Sequence, residues 1–353
     1  MQGPEELFDI IRQRHSVTES QAREWAYYLG QLKGCKLFSV AAQEEDPEGW
    51  LRARTHGIGG SDIATILGEN PWSSPHRIWM SKLDMFDSDK QPTQNEAARW
   101  GNLLETTVAT EWGYRNNRQW IHIPVTLQSE EYPWMLANVD GFTLSDDRKV
   151  VTGILEIKTT SAFNEEPWSE GPLPFYYLCQ VNWYCGICGL DQFCITCLVG
   201  GQKLYAYNDM PCDPDLFKRE TVAAADFWQN NVLKGIEPKR SENDLEELQK
   251  EAADEHDQSL PPVIYDDDES SNVIQGYIDI RDKIGQLEKV KKALYAQLYV
   301  YLGKATEGVI GEHTVSIKFT ERRNVNWSKL EKEYPQAYAA CVGKTVSNSL
   351  NIK

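Results

Sequence analysis

The chain has 353 residues, 41% of them hydrophobic, and a formal net charge of -17. This length suits two domains or one large domain with additions. The sequence has no run of about 18 apolar residues and lacks the basic start of a signal peptide, so we expect neither a membrane span nor secretion. Eight cysteines without a secretory signal predict a reduced protein of the cytoplasm.

The negative charge is concentrated in one segment. Residues 241–270 contain twelve acidic residues and one basic residue, a net charge of -11, which leaves -6 for the other 323 residues. This run, which includes Pro261-Pro262, predicts an acidic linker between two domains. The overall charge therefore argues only weakly against DNA binding.

The first predicted elements are helical. Residues 5–40 are expected to be helical with a break at Ser16 and Thr18, within an N-terminal extension of residues 1–45. A glycine-rich turn follows at residues 57–60, and Ser61 or Asp62 is a good N-cap for the next helix. Residues 96–118 predict an amphipathic helix with one apolar stripe, formed by Ala97, Trp100, Leu104, Val108 and Trp112.

The middle of the chain predicts a sheet. Short apolar-alternating segments separated by turn sequences indicate an antiparallel meander, at residues 120–127, 134–139, 142–144 and 150–159. A helix is expected at residues 173–188, followed by a strand at 192–199, its hairpin partner at 203–207 and a last helix near Trp228. This order favours an α/β (α+β) domain with one central sheet, which we assign to residues 46–240.

Residues 271–353 predict an accessory domain. Apolar residues and one lysine recur in steps of four and three, a heptad seam typical of coiled-coil packing, at Ile280, Ile284, Leu287, Lys291, Leu294, Leu298 and Tyr301. A β-hairpin is expected at Val309–Thr320 and a final helix at Trp327–Tyr338. Core or oligomer packing explains the seam better than a role in binding DNA.

The strongest chemical signal is Asp140 with Glu156 and Lys158. If residues 153–159 form a strand, Glu156 and Lys158 share one face while Leu155 and Ile157 point into a core. Two carboxylates can hold a hard divalent cation, and a nearby ammonium can orient the attacking water in phosphodiester hydrolysis. Taken alone, Asp140-Gly141 is typical of a turn, and Glu156 and Lys158 also fit the solvent face of an edge strand.

Three further residues could join this group. Glu105 follows Leu104 on the amphipathic helix and can face the sheet, although a surface acid is the ordinary alternative. Gln180 and Tyr184 lie four residues apart on one helical face. A glutamine on such an aromatic stripe needs hydrogen-bond partners, which either an active site or the backbone can supply.

Five motifs in this order resemble those of the YqaJ-type viral recombinases, which are similar to bacteriophage lambda exonuclease and share the PD-(D/E)XK nuclease fold. They are Gly57-Ile58-Gly59-Gly60-Ser61-Asp62, Trp100-Gly101 with Glu105, Asn138-Val139-Asp140-Gly141, Leu155-Glu156-Ile157-Lys158, and Gln180 with Tyr184. The resemblance covers residues 50–207, with a weaker likeness from about residue 271. It implies a restriction-endonuclease-like core with a mixed central sheet flanked by helices.

The resemblance also implies roles. Asp140, Glu156 and the backbone carbonyl of Ile157 would bind Mg²⁺, for which Mn²⁺ could substitute. Lys158 would position the attacking water, and Gln180 and Tyr184 would complete the site. Glu105 would be a more distant acid, acting through water or a second ion. Arg54 and Ser61 match residues that bind the DNA 5′-phosphate, although a surface arginine and a helix cap are their ordinary alternatives.

The implied activity is a 5′–3′ exonuclease that digests linear double-stranded DNA and leaves a 3′ single strand. That strand would pass to a single-strand-annealing protein in phage-type recombination, and such enzymes often form trimers. An endonuclease, a single-strand nuclease or a non-hydrolytic DNA-end-binding scaffold stays open. So does an iron–sulfur nuclease, because of Cys185, Cys188, Cys194 and Cys197. Their places at a helix end and on a strand favour core residues instead.

Overall fold

The computed structural model describes residues 2–14, 16–43, 45–83, 96–169, 171–254, 259–321 and 324–343. The chain divides into two compact units, Met1–Leu248 and Gln249–Lys353. Within the described ranges, no helix combines the length and the apolar character that crossing a membrane would require.

The first unit is a mixed α/β structure. Its helices are α1 (Pro4–Ile11), α2 (Glu19–Leu29), α3 (Pro47–Thr55), α4 (Gly60–Ile66), α5 (Pro75–Lys82), α6 (Glu96–Asn116), α7 (Glu166–Ser169), α8 (Phe175–Cys188), α9 (Pro214–Asp226) and α10 (Leu245–Asp254), which runs past the unit boundary. Its strands are β1 (Cys35–Ser39), β2 (Gln119–Ile121), β3 (Thr126–Ser129), β4 (Leu136–Ala137), β5 (Gly141–Leu144), β6 (Val151–Thr160), β7 (Gln192–Val199) and β8 (Lys203–Pro211).

A five-stranded mixed sheet in the order β2-β5-β6-β7-β8 forms the centre of this unit. β6 and β7 are parallel and are connected through α8, whereas the other neighbours are antiparallel. Leu155 and Ile157 of β6 pack on one face with Val108 and Trp112 of α6. The opposite face of β6 is turned toward α8. The predicted mixed sheet flanked by helices is therefore confirmed.

The meander differs from the prediction, because its segments enter two sheets. β3 and β4 join β1 in a separate three-stranded sheet, whereas β2, β5 and β6 lie in the large one. Pro124 lies between β2 and β3 and cannot donate a hydrogen bond to a ladder. The change of sheet occurs at this interruption.

The N-terminal segment is not helical throughout. α1 and α2 form as expected, but Cys35–Ser39 is a strand that pairs with β3, with Cys35 opposite Ser129. Cys35 and Leu37 are buried while Lys36 is exposed, which is the period of a strand. Leu7, Phe8 and Ile11 of α1 belong to the main hydrophobic core, so residues 1–45 are part of the first unit and not a separate extension.

Two other predictions need correction in the first unit. The exposed Trp100 leaves the apolar stripe of α6, of which Val108 and Trp112 are buried. The acidic segment begins with a 3₁₀ turn, Glu242–Asp244, followed by α10. Asp244 is fully buried, so the start of the expected linker packs within the first unit.

The second unit contains α11 (Asp268–Leu302), the hairpin strands β9 (Glu307–Ile310) and β10 (His313–Ser316), and the helices α12 (Trp327–Glu333) and α13 (Pro335–Cys341). The long helix and the hairpin were expected. The single final helix is instead two, because Pro335 disfavours a helical conformation at Tyr334. The heptad seam of α11 is largely exposed; Ile284, for example, retains 52% of its accessible surface.

Candidate active site

Two carboxyl groups meet where β5 begins beside β6. Asp140 directly precedes β5, and its Oδ2 accepts a hydrogen bond of 2.9 Å from the backbone N–H of Ile157. The carboxyl groups of Asp140 and Glu156 lie close enough for each to shift the pKa of the other. The structure thus brings together the two acids whose spacing along the chain is sixteen residues.

Glu156 is the centre of a polar network that faces α8. Its side chain is 0% exposed, and its Oε1 accepts hydrogen bonds from Lys158 Nζ at 2.5 Å and from Gln180 Nε2 at 2.6 Å. Gln180 Nε2 also donates to the Tyr184 hydroxyl at 3.3 Å. Lys158 lies over the ring of Tyr177, with Nζ 5.3 Å from its centroid. The predicted group of Glu156, Lys158, Gln180 and Tyr184 is therefore one connected cluster.

Burial controls the protonation of this cluster. It raises the pKa of Glu156 to about 8, and the neighbouring Asp140 carboxyl adds to that rise against the Lys158 ammonium. Burial also raises the pKa of Asp140, again opposed by Lys158. For Lys158, burial alone would lower the pKa, but the Glu156 and Asp140 carboxylates outweigh it and raise the pKa. Without a cation, the two acids therefore retain a proton at neutral pH.

One atom of the cluster fits a metal ligand. Glu156 Oε2 is buried and has no hydrogen-bond partner among the described residues. An unsatisfied buried carboxylate oxygen costs about 1–3 kcal/mol or more. Hard divalent cations prefer carboxylate and carbonyl oxygens, so the donor set around Asp140 and Glu156 fits Mg²⁺.

Glu105 lies apart from this pair. Its Oε1 is 3.9 Å from Nδ1 of His122, and the same nitrogen lies 2.6 Å from the backbone oxygen of Asp140. That oxygen can only accept, so His122 Nδ1 carries the proton in this contact. Within the described ranges, Glu105, Asp140 and Glu156 do not form a group with ligand atoms inside 4.8 Å. His122 was missed in the sequence because an isolated histidine after a short strand carries no signal.

Arg54 and Ser61 form a separate polar corner between α3 and α4. The Arg54 guanidinium donates a hydrogen bond of 2.8 Å to Ser61 Oγ, and its carbon lies 4.7 Å from the centroid of the Trp50 ring. The sequence suggested Ser61 or Asp62 as the N-cap of α4. In the structure Ser61 is exposed, and neither residue is the N-cap. Gly59 occupies that position, and its N–H donates to Asp62 Oδ2 at 3.0 Å.

A buried ion pair supports this corner. Lys82 of α5 donates to Asp62 Oδ2 at 2.7 Å and to the backbone oxygen of Arg54 at 3.0 Å. Burial raises the pKa of Asp62, but Lys82 and Arg54 outweigh it and hold that pKa below its usual value. Sequence reasoning did not find this pair, whose members lie on different helices.

The corner and the carboxyl cluster are packed together at Gly60. A Cβ at this position would lie 2.4 Å from Cε1 of Tyr184 and 3.0 Å from the backbone oxygen of Gln180. Only a residue without a side chain lets α4 approach α8 this closely. Tyr184 therefore packs against Gly60, the neighbour of Ser61, and also joins the carboxyl network through Gln180.

The four cysteines that could have been ligands of an iron–sulfur cluster do not all lie in one core. Cys194 packs in the smaller core with α6, whereas Cys185, Cys188 and Cys197 belong to the larger core. All four are buried free thiols. No group of three cysteines with ligand atoms inside 4.8 Å occurs in the part of the chain that the structure describes. The structure therefore gives no support to an iron–sulfur site.

Comparison with known proteins places the chain in a family. The profile of the YqaJ-like viral recombinase domain matches residues 49–191, a range that includes every predicted site residue. The chain is also 30% identical to the uncharacterized protein YqaJ of Bacillus subtilis (strain 168) over 308 residues, which cover 86% of this chain and 93% of that protein. The chain belongs to the YqaJ-like viral recombinase family. The family resemblance seen in the sequence is confirmed.

More distant relatives of this YqaJ-like chain are partial matches. A protein of African swine fever virus (strain Badajoz 1971 Vero-adapted) is 27% identical over 169 residues, 42% of this chain and 47% of that protein. Among solved structures, the alkaline exonuclease LHK-Exo of Laribacter hongkongensis has a TM-score of 0.43 and 17% identity, covering 59% of this chain and 98% of its own.

Proposed function

We propose that the protein is a Mg²⁺-dependent 5′–3′ exonuclease that digests linear double-stranded DNA and leaves 3′ single-stranded overhangs. The main supporting observation is Glu156. It is fully buried, binds Lys158 and Gln180 through one oxygen, and has its other oxygen unpartnered among the described residues. Membership of a viral recombinase family agrees with such an activity.

Asp140, Glu156 and the carbonyl of Ile157 are the proposed ligands of the cation, with Mn²⁺ as a substitute. The Ile157 N–H donates to Asp140 Oδ2, and the N–H and C=O of one strand residue point to the same side. The Ile157 carbonyl is therefore directed toward Asp140. When bound, Mg²⁺ lowers the pKa of water and offsets charge on the scissile phosphate.

Lys158 is the proposed residue that orients the attacking water. Its ammonium is held by Glu156, while 21% of its side chain remains exposed and can meet a substrate. Gln180 keeps the Glu156 carboxylate in place through its amide, and Oε2 has no hydrogen-bond partner in the part of the chain that the structure describes. Glu105 and His122 lie farther out and would act on the Asp140 end of the site.

Arg54 and Ser61 are the proposed binding residues for a terminal 5′-phosphate. A guanidinium and a hydroxyl both donate to phosphate oxygens, and both groups are accessible here. Gly60 packs against Tyr184, so a bound 5′ end would lie next to the cluster that contains Glu156. This proximity favours cleavage from a 5′ end over internal cutting.

The test is digestion of a linear duplex with one 5′-phosphate end and one 5′-hydroxyl end, beside a covalently closed circle. With Mg²⁺ we expect degradation of the strand that carries the 5′-phosphate, starting at that end, and survival of the circle. Without Mg²⁺ no cleavage is expected. Cutting of the circle would indicate an endonuclease, and end binding without cleavage in Mg²⁺ or Mn²⁺ would indicate a scaffold.

In a recombination system, the 3′ strand would be transferred to a single-strand-annealing protein, and the enzyme would act as a homo-oligomer. These two parts of the proposal rest on family membership. Co-purification of an annealing protein and the mass of the particle in solution test them separately from nuclease activity.

A further inference from the structure

A second set of metal-ligand side chains lies where α5 meets the segment before α10. One ring nitrogen of His76 and one carboxylate oxygen each of Asp244 and Glu247 all lie within 4.8 Å of one another. All three residues belong to the first compact unit, and none is on β5 or β6. This set is therefore separate from Asp140 and Glu156.

The buried His76 has one ring nitrogen without a hydrogen-bond partner among the described residues. The residue is 2% exposed, and its Nε2 lies 3.2 Å from Oε1 of Glu237. Its other ring nitrogen, Nδ1, is buried and has no hydrogen-bond partner in the described parts of the chain. A buried polar nitrogen left unsatisfied costs about 1–3 kcal/mol. A metal ion bound at Nδ1 would satisfy this nitrogen, and neutral imidazole is the commonest metal ligand in proteins.

Asp244 is held in a fixed orientation. It is 0% exposed and accepts three hydrogen bonds, from the Ser74 hydroxyl, from the backbone N–H of Ser241 at 2.7 Å and from the Ser241 hydroxyl at 3.2 Å. A carboxylate has about four lone-pair sites, so these bonds leave room for a cation. Hydrogen bonds of this kind orient ligands in metal sites. The serines on both sides of Asp244 therefore prepare it without saturating it.

The charges also suit a dication. Glu237 adds a third carboxylate beside Asp244 and Glu247, and the Arg240 guanidinium lies 3.0 Å from Glu237 Oε1 and 4.0 Å from Glu247 Oε2. An imidazole nitrogen with carboxylate oxygens favours Zn²⁺ or a similar transition metal over Mg²⁺ and Ca²⁺. Tetrahedral Zn²⁺ ligands lie about 3.3 Å apart. The ligand atoms here lie within 4.8 Å of one another, and the side chain of Glu247, which is 35% exposed, can move to shorten these distances.

We propose that His76, through Nδ1, together with Asp244 and Glu247 binds one Zn²⁺ or a similar divalent transition-metal ion, while Glu237 holds the other ring nitrogen of His76. The ion fastens residues 237–247 to α5. The same helix carries Lys82, which bonds to Asp62 and to the backbone of Arg54. Metal binding therefore stiffens the support of the Arg54–Ser61 corner without taking part in chemistry at Glu156.

The test uses the full-length chain with Asp140→Ala, so that the carboxyl cluster contributes no strong cation site. After chelation, Zn²⁺ titration by calorimetry should give one ion per chain and a higher Tm. In the same background, Glu247→Gln should weaken Zn²⁺ binding at least tenfold, and His76→Gln about 100-fold. Glu246→Gln removes an exposed neighbouring carboxylate and should bind as the parent does.

Substitution with Co²⁺ gives a readout independent of stability. The parent should show visible absorbance bands from imidazole and carboxylate ligation, and Glu247→Gln should lose or shift them. Because Glu247 is half-buried, this variant decides the question even if His76→Gln fails to fold. Equal Zn²⁺ binding by Glu247→Gln and the parent, no binding by the parent, or Mg²⁺ binding as tight as Zn²⁺ would each overturn the proposal.

Discussion

The Asp140–Glu156 cluster and the Arg54–Ser61 corner are built in opposite ways. The cluster is buried, carries two carboxyl groups and one lysine, and lies on central strands of a sheet. The corner is exposed, carries a guanidinium and a hydroxyl, and lies between two helices. In the cluster, burial raises the pKa of the two acids, because their negative charge is unfavourable there without a proton or a metal ion beside it. The corner instead offers hydrogen-bond donors to an anion. A reaction on a charged polymer end needs both.

The largest expected effect is at Lys158. Lys158→Met leaves the oxygens of Asp140 and Glu156 in place, so we expect Mg²⁺ to bind while cleavage of linear duplex falls roughly 1,000-fold. Calorimetric Mg²⁺ titration and a gel-based rate assay measure the two quantities. Lys203→Met, at an exposed lysine of β8, is the control. A loss of less than tenfold would mean that Lys158 does not act in the reaction.

A smaller effect is expected at Arg54. Arg54→Gln removes a charge-assisted contact to phosphate and should reduce the preference for 5′-phosphate over 5′-hydroxyl ends by about 10- to 100-fold. Cleavage of 5′-hydroxyl ends should be nearly unchanged. Arg52→Gln changes an exposed arginine on the same helix and controls for general charge. If both variants lose the preference equally, the corner is only a nonspecific basic surface.

Gly60 tests whether the two regions depend on each other. Gly60→Ala places a Cβ 2.4 Å from the Tyr184 ring, so α4 or α8 must move at a cost of about 1–3 kcal/mol. We expect a lower Tm together with about tenfold losses in both rate and end preference. At Gly59 an added Cβ would lie 3.6 Å from Asp62 Oδ2, an ordinary contact. Gly59→Ala should therefore keep the rate and the end preference, with only a small loss of Tm because alanine is a poorer N-cap than glycine.

The last prediction concerns the pH dependence of stability, not activity. Since the pKa of Glu156 is about 8 in the folded chain against 4.5 ordinarily, the metal-free folded state keeps a proton that the unfolded state has lost. The free energy of unfolding should therefore fall as pH rises from 4.5 to 8. Added Mg²⁺ favours the carboxylates and should reverse this trend.

The buried Glu220, whose pKa is also raised to about 8 by burial, contributes a slope of the same sign. The measurement is therefore the difference in Tm between wild type and Glu156→Gln across this range in a chelator. Relative to the variant, the wild type should gain Tm steadily toward low pH if the Glu156 carboxyl group holds its proton. A difference that does not change with pH would mean that Glu156 ionises normally.

The parts of the site that lie on one strand could be predicted from the sequence. Alternation places Glu156 and Lys158 on the face opposite Leu155, and four-residue spacing places Gln180 beside Tyr184; both relations are local. Asp140 was grouped with Glu156 because two carboxylates can share a cation, and motif order in a known family supported that grouping; the role of Arg54 came from the family alone. Motif order indicates which residues lie near one another, but it gives no distances or hydrogen bonds between them.

Long-range contacts could not be predicted in the same way. His122 contacts the Asp140 carbonyl across 18 residues, and Gln31 bonds to Val151 across 120. The strand at Cys35–Ser39 pairs with β3 about ninety residues later. Each of these depends on which surfaces meet after folding, and no local period encodes that choice.

The parallel pairing of β6 with β7 has a consequence for synthesis of the protein. Glu156 sits opposite Ile195, and the residues that join them include the whole of α8. A chain emerging from the ribosome has Asp140, Glu156 and Lys158 before it has α8, which Glu156 faces, and β7, which pairs with β6. The proposed nuclease activity is therefore expected only after α8 and β7 have folded against β6, so a fragment that ends before Gln192 should not cleave DNA.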